Sequence, residues 1–194
     1  RLFHTSGITL GLGGKAQDFA IHCIKEFKKQ GTLISFDVNY RSNLWTGEEA
    51  RKCIETILPY VDIFFCSEDT ARLTFGKTGT INEIQKSFCE EYPISVVAST
   101  ERTVITPKKH NFTSIIYSAK NDTYYRENPY NNIDVVDRIG RRCLCIRCTV
   151  WLFKTRGLPE SFGIRQCHGC HQTQCHRRYG LHGLRGDRQH YQTA

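Results

Sequence analysis

A 194-residue chain whose sequence predicts an α/β fold, a mostly parallel sheet flanked by helices with an antiparallel edge, presents three observations that carry the expectation. Segments with helical apolar spacing alternate with short, charge-poor runs of β-branched and aromatic residues, the pattern of crossover units around strands buried on both faces. Two capping boxes, Thr46 with Glu49 and Thr80 with Glu83, mark helix starts. After Ser99, apolar and polar residues alternate as they do in antiparallel strands.

Each element follows from these rules. Ala16, Phe19, Ala20, Cys23, Ile24 and Phe27 recur at helical spacing and Gly31 follows as a C-terminal cap, so a helix is expected over 16–30. The run LISFDV at 33–38 reads as a central parallel strand. Thr46 opens a second helix through Ala50, Ile54, Ile57 and Leu58, which Pro59 closes. The run VDIFF at 61–65 is the next buried strand, followed by a short helix over 68–75 and a turn at Gly76 and Gly79. Thr80 begins the 80–91 helix, and 94–98 supplies a third buried strand. The segments 103–106, 113–118 and 124–127 form the antiparallel edge, with Asn121 and Asp122 in a hairpin turn.

Composition bounds the rest. With 39% hydrophobic residues the chain can bury one core, and two full domains are not expected. No apolar run approaches the roughly 20 residues of a membrane span and no signal series is visible, so a cytoplasmic protein without membrane partners is expected. The four Cys before Gly140 lie within helix and strand patterns and read as reduced core residues. The chain starts at Arg1 and contains no Met, which points to a fragment.

The net charge of +8 is not spread evenly: basic and acidic residues balance at 17 each up to Gly140, and the whole excess lies in residues 141–194. That tail also holds six of the ten Cys and five of the eight His.

Open α/β sheets bind ligands beyond the carboxyl ends of their strands. Asp37, Asn39 and Arg41 stand at one such end and suit a polar, anionic, hydroxyl-rich ligand; alternatively, Arg41 pairs with a neighbouring acid and caps the strand. Ser67, Glu68 and Asp69 follow the next strand and could hold Mg2+ through water, or could complement the dipole of the helix they open. Ser99 and Thr100 follow the third. Gly7, Gly11, Gly13 and Gly14 could cradle a phosphate but read more simply as a flexible connection, and no Walker-type motif occurs.

FDVNYRSNLW at 36–45, DIFFCSED at 62–69, VVAST at 96–100, the YSAKNDTYY hairpin and IDVVDRIG at 133–140 resemble the ribokinase-like (PfkB-type) sugar kinases, most of all their 2-keto-3-deoxygluconate kinase branch. The resemblance covers residues 4–140 and implies a partial ribokinase-like domain over 1–140, without the family's lid and C-terminal helices. It implies ATP and Mg2+ as cofactors, a sugar acid as the small-molecule partner, no nucleic acid, and a possible homo-oligomer in an intact member. Asn39 and Arg41 would contact the sugar, Arg41 through its carboxylate. Ser99, Thr100, Asp137 and Gly140 would serve the nucleotide and anion hole, and Glu68 and Asp69 the metal.

The family's catalytic element is Asp-x-x-Gly-Ala-Gly-Asp, whose turn and helix N-terminus stabilise the transferring phosphoryl while the last Asp takes the proton of the attacking hydroxyl. Asp137, Arg138, Ile139 and Gly140 match its first half; then Arg141, Arg142 and Cys143 replace Ala-Gly-Asp, leaving Cys143 at the base position. In another reading frame, residues 142–156 back-translate to DAYVSGALYGFLKHG and residues 163–178 to EFGNAMAAIKHSVIGD, both resembling the family's continuation. Residues 141–194 are therefore expected to be an out-of-frame, poorly ordered tail, and the chain an inactive sugar-acid kinase fragment. Two other functions stay open: a kinase of another sugar such as fructose or a ribonucleoside, and a metal- or haem-binding protein. The second would use Cys143, Cys145 and Cys148, or the formal C-x-x-C-H of Cys167 to His171. The Arg-rich tail lacks the aromatic interleaving of a single-strand nucleic-acid platform.

Overall fold

The computed structural model describes residues 1–107 and 109–134. The chain order is β1 (Leu2–Ser6), α1 (Gly7–Gly11), α2 (Gly14–Lys29), β2 (Leu33–Asp37), α3 (Gly47–Glu55), a 3-10 turn at Leu58–Tyr60, β3 (Ile63–Phe65), α4 (Glu68–Phe75), α5 (Ile81–Glu91), β4 (Val96–Thr106), β5 (Lys109–Ser118), β6 (Thr123–Arg126) and β7 (Tyr130–Asp134). The strands form one sheet in the order β1-β2-β3-β4-β5-β6. β1 through β4 run parallel, and β5 turns back antiparallel on β4. β6 and β7 pair with successive stretches of β5, at Ile115 to Ser118 and Lys109 to Phe112. This is the α/β sheet with an antiparallel edge that the sequence predicts.

Period-two alternation divides the sheet into two chemically different faces. Ile34, Phe36, Phe64 and Val97 point to the side where α2 brings Ile24, α3 Ile54, α4 Phe75 and α5 Phe88, all in one cluster. Phe64 stands at its centre, with ring centroids 4.9 Å from Phe88, 6.2 Å from Phe75 and 6.4 Å from Phe36. The opposite face carries a smaller cluster of Ile63, Phe65, Val96, Ala98 and Ile116, to which no residue of α1 to α5 belongs.

Both capping boxes form as their sequences require: Thr46 accepts from the Glu49 amide and Thr80 from the Glu83 amide, and each Glu side chain returns to its cap. At the amino ends of the parallel strands, Asp62, just ahead of β3, ties three elements together. One carboxylate oxygen accepts from Lys28 of α2 at 2.6 Å and the other from the Ile34 amide of β2 at 2.8 Å. Asp62→Ala should lower stability by about 1–3 kcal/mol, mostly because the Ile34 N–H loses its partner, and urea unfolding measures it.

The structure departs from the sequence expectations in several places: α3 ends at Glu55, ahead of the Leu58 expected, and β7 is a strand that the sequence did not show. The glycine segment 7–14, read as a flexible connection, holds α1 and the start of α2, and β1 before it had no sequence reading; β1 and α1, with five residues each, are too short to show a period. In α2 the buried residues are Ala20 and Ile24, whereas Phe19 is 69% exposed and Phe27 leaves the core to stack on Phe3 of β1 at 4.8 Å. The expected 94–98 strand and 103–106 strand are one, β4, because the β5 ladder continues unbroken from Val96 past Ser99 to a bulge at Val104.

Candidate functional site

The site is built from the ends of β2 and β3. Backbone pairing extends one residue past each strand, with the Val38 amide donating to Phe65 O at 3.0 Å and the Cys66 amide to Ala98 O at 3.1 Å. The chain then turns sharply at Asn39, a buried non-glycine residue with φ 38°. Left-handed backbone costs an L-residue about 1–2 kcal/mol, and asparagine tolerates it best because short polar groups can bond locally. Here the bond comes from Asp37: its carboxylate, 3% exposed, accepts the Asn39 amide at 3.0 Å.

The rest of the loop is held from below. Tyr40 OH donates to Trp45 O at 3.2 Å, and the Leu44 amide closes a turn on Arg41 O at 3.0 Å. The Trp45 ring packs against Gly7 and Gly11 of α1. Gly7 allows this approach, since a Cβ there would overlap the Val38 carbonyl.

Arg41 projects outward. It is exposed, and its guanidinium donates to Tyr40 O at 3.1 Å. Among the described residues no carboxylate forms an ion pair with it. Of the two sequence readings, the pairing of Arg41 with a neighbouring acid is thus not seen there. A guanidinium beside a buried amide, at the carboxyl end of a parallel sheet, can grip a carboxylate through two parallel hydrogen bonds.

Glu68 and Asp69 open α4. Ser67 caps α4, its hydroxyl 2.8 Å from that of Thr70. The Glu68 carboxylate is engaged by Arg72 at 2.6 Å, while Asp69 is exposed in the first turn. Among the described residues no three His, Cys, Asp or Glu side chains gather where a cation could sit. Both residues stand in the first turn of α4, the arrangement of helix-dipole complements.

Ser99 and Thr100 lie inside β4, not after it, yet beyond the ends of β2 and β3, because Phe65 pairs with Ala98. The Ser99 hydroxyl faces the helices and accepts from Gln85 Nε2 at 3.0 Å; the same amide nitrogen donates to Ile115 O at 3.0 Å. Thr100 is half-buried on the other face, opposite Ser114. Gln85 Oε1 has no partner among the described residues. Asp137, Gly140 and Cys143, together with the Cys and His residues of the tail, lie outside the described residues.

Two groups near the site escaped the sequence reading. Gln85 is one. The other is His4 on β1, whose Nδ1 lies 2.8 Å from Ser35 Oγ and whose ring meets Phe65 edge-on at 6.3 Å. Desolvation lowers the His4 pKa, with the nearby Asp37 carboxylate opposing. Neither contact has a local signature, since the partners are 31 residues apart for His4 and 14 for Gln85.

No protein-family model matches the chain. Among curated proteins it is similar to a 2-dehydro-3-deoxygalactonokinase of Haloferax volcanii, 28% identical over 138 residues that make up 71% of this chain and 40% of that protein. A 2-dehydro-3-deoxygluconokinase of Haemophilus influenzae is 39% identical over 70 residues, 35% of this chain and 22% of that one. The crystal structure of a Thermotoga maritima 2-dehydro-3-deoxygluconokinase superposes with a TM-score of 0.73 at 26% identity, covering 80% of this chain and 49% of that one. A PfkB family carbohydrate kinase from Listeria grayi gives 0.72 at 26% identity, covering 82% and 49%. The chain thus spans about half the length of these solved structures and less of the curated relatives. In sequence and in fold, the chain is similar to the PfkB-type, ribokinase-like carbohydrate kinases, which are transferases.

Proposed function

We propose that this chain is part of an ATP-dependent kinase for a sugar acid of the 2-keto-3-deoxygluconate type, and that the chain by itself does not turn over. The observation that carries the substrate reading is Arg41, an exposed guanidinium without an ion pair among the described residues, beside the buried Asn39 at a sheet's carboxyl end. Arg41 would hold the sugar carboxylate and Asn39 would orient hydroxyls, fixing the acceptor for attack on the γ-phosphoryl of ATP. In that transfer the hydroxyl oxygen bonds to phosphorus, the bond to the ADP oxygen breaks, and the hydroxyl proton passes to a base. Cys143 stands at the expected base position, where a thiol is no substitute for the carboxylate.

The test pairs binding with turnover. Trp45, packed in the substrate loop, reports binding by fluorescence, and ADP release reports transfer. The expected result is a saturable response to 2-keto-3-deoxygluconate, a weaker one to fructose, and no ADP above a heat-denatured control. Equal responses to both sugars would overturn the sugar-acid reading, and ADP release would overturn the claim of inactivity.

A further inference from the structure

β1 is the outer strand of the described sheet, and its pairing with β2 fixes where its backbone groups point. The Leu33 amide donates to Arg1 O at 3.1 Å, so the alternate residues Arg1, Phe3 and Thr5 address β2. Leu2, His4 and Ser6 turn their N–H groups away from it, and Leu2 and His4 their C=O groups also. Among the described residues no strand meets them. Natural edge strands are guarded by proline, charge or a bulge. The run LFHTS at 2–6 has no proline and no Lys, Arg, Asp or Glu, and its register with β2 is unbroken. Apolar side chains flank this edge on both faces. On one, Leu2 pairs with the exposed Leu33; on the other, Phe27 of α2 stacks on Phe3. Phe19, eight residues before Phe27 and on the same stripe of α2, is largely exposed.

We propose that β1 is a self-association edge, where a second copy of this chain adds its own β1 antiparallel and the sheet continues across a twofold axis. The strand is complementary to itself. Centred on His4, the two His4 residues exchange a pair of N–H···O bonds, and each Ser6 amide donates to Leu2 O of the other copy. Phe3 then lies opposite the other copy's Thr5, an aromatic and β-branched pair. The axis stands perpendicular to the sheet, so both α2 helices lie on the same side and their Phe19 stripes meet. Charge allows the approach: β1 carries none, and on the adjoining turns of α2 Glu26 is already paired with Lys29 at 2.6 Å. Residues 135–194 follow β7, which pairs with β5, four strands away from β1. Each chain has one β1, so the contact closes at two copies. It holds whatever sugar the 38–45 loop takes.

Sedimentation equilibrium of the full chain tests this, with a dimer expected at about 100 μM, where a micromolar contact is nearly saturated. His4→Lys sets like charges opposite each other at the axis and should raise the dissociation constant at least about tenfold. Phe19→Lys changes an exposed side chain and should raise it as well; it takes the place of His4→Lys if that variant does not fold. Val104→Lys, at the exposed end of β4, should leave it unchanged. Amide hydrogen exchange locates the contact, because protection of the His4 N–H should rise with protein concentration. A chain that stays monomeric at that concentration, or assembles beyond dimers, overturns the proposal. So does a dimer that His4→Lys leaves intact, one that Val104→Lys weakens by the same factor, or His4 protection that is independent of concentration.

Discussion

Phe64→Ala should destabilise the protein by about 3–5 kcal/mol, the largest effect expected of any single core truncation here. Phe64 is fully buried in β3, at the centre of the sheet, and three other phenylalanine rings surround it. Phe36 comes from β2, Phe75 from α4 and Phe88 from α5, so the ring joins two strands and two helices. These neighbours are held by their own strands and helices and cannot collapse into the void. Removal therefore costs both the transfer free energy of the ring and the cavity left behind. Urea denaturation should show a lower midpoint with an unchanged slope. A loss below about 1 kcal/mol would mean that the β3 core is loosely packed.

Arg41→Ala should weaken sugar-acid binding by about 10- to 100-fold, the free energy of a charge-assisted hydrogen bond, and leave thermal stability unchanged. The second half of that expectation follows from exposure, since among the described residues the side chain bonds only to the carbonyl of its neighbour Tyr40. Arg41→Lys keeps the charge but not the planar fork, and an intermediate loss is expected. Fluorescence titration of the variants with 2-keto-3-deoxygluconate measures the ratio. Fructose, which has no carboxylate, should respond to neither substitution.

Local signals in the sequence located what local interactions build. The capping boxes at Thr46 and Thr80 start α3 and α5 where expected, because the bonds that make them span three residues. Buried strands show as charge-poor runs, and Asn39 and Arg41 show as the wrong residue types for a core placed just past one. The rest depends on partners far along the chain. Phe19 fits the apolar stripe of α2 as well as Ile24 does, and only the position of the sheet decides which of them is buried. The continuation of β4 past Ser99 is set by β5 and by the Gln85 clamp from α5, not by anything within 94–106. His4 gains its meaning from Ser35 and Asp37 on another strand.

The central claim joins a sugar-acid kinase site in residues 1–140 to a tail read in the wrong frame. The nucleotide sequence of the gene across codons 137–145 tests it most directly. The expected result is a shifted frame that encodes Ala-Gly-Asp at this place and continues from that Asp as AYVSGALYGFLKHG. If neither shifted frame encodes an Asp at that place, Cys143 and the Cys/His-rich tail are genuine, and the account of an interrupted kinase is contradicted.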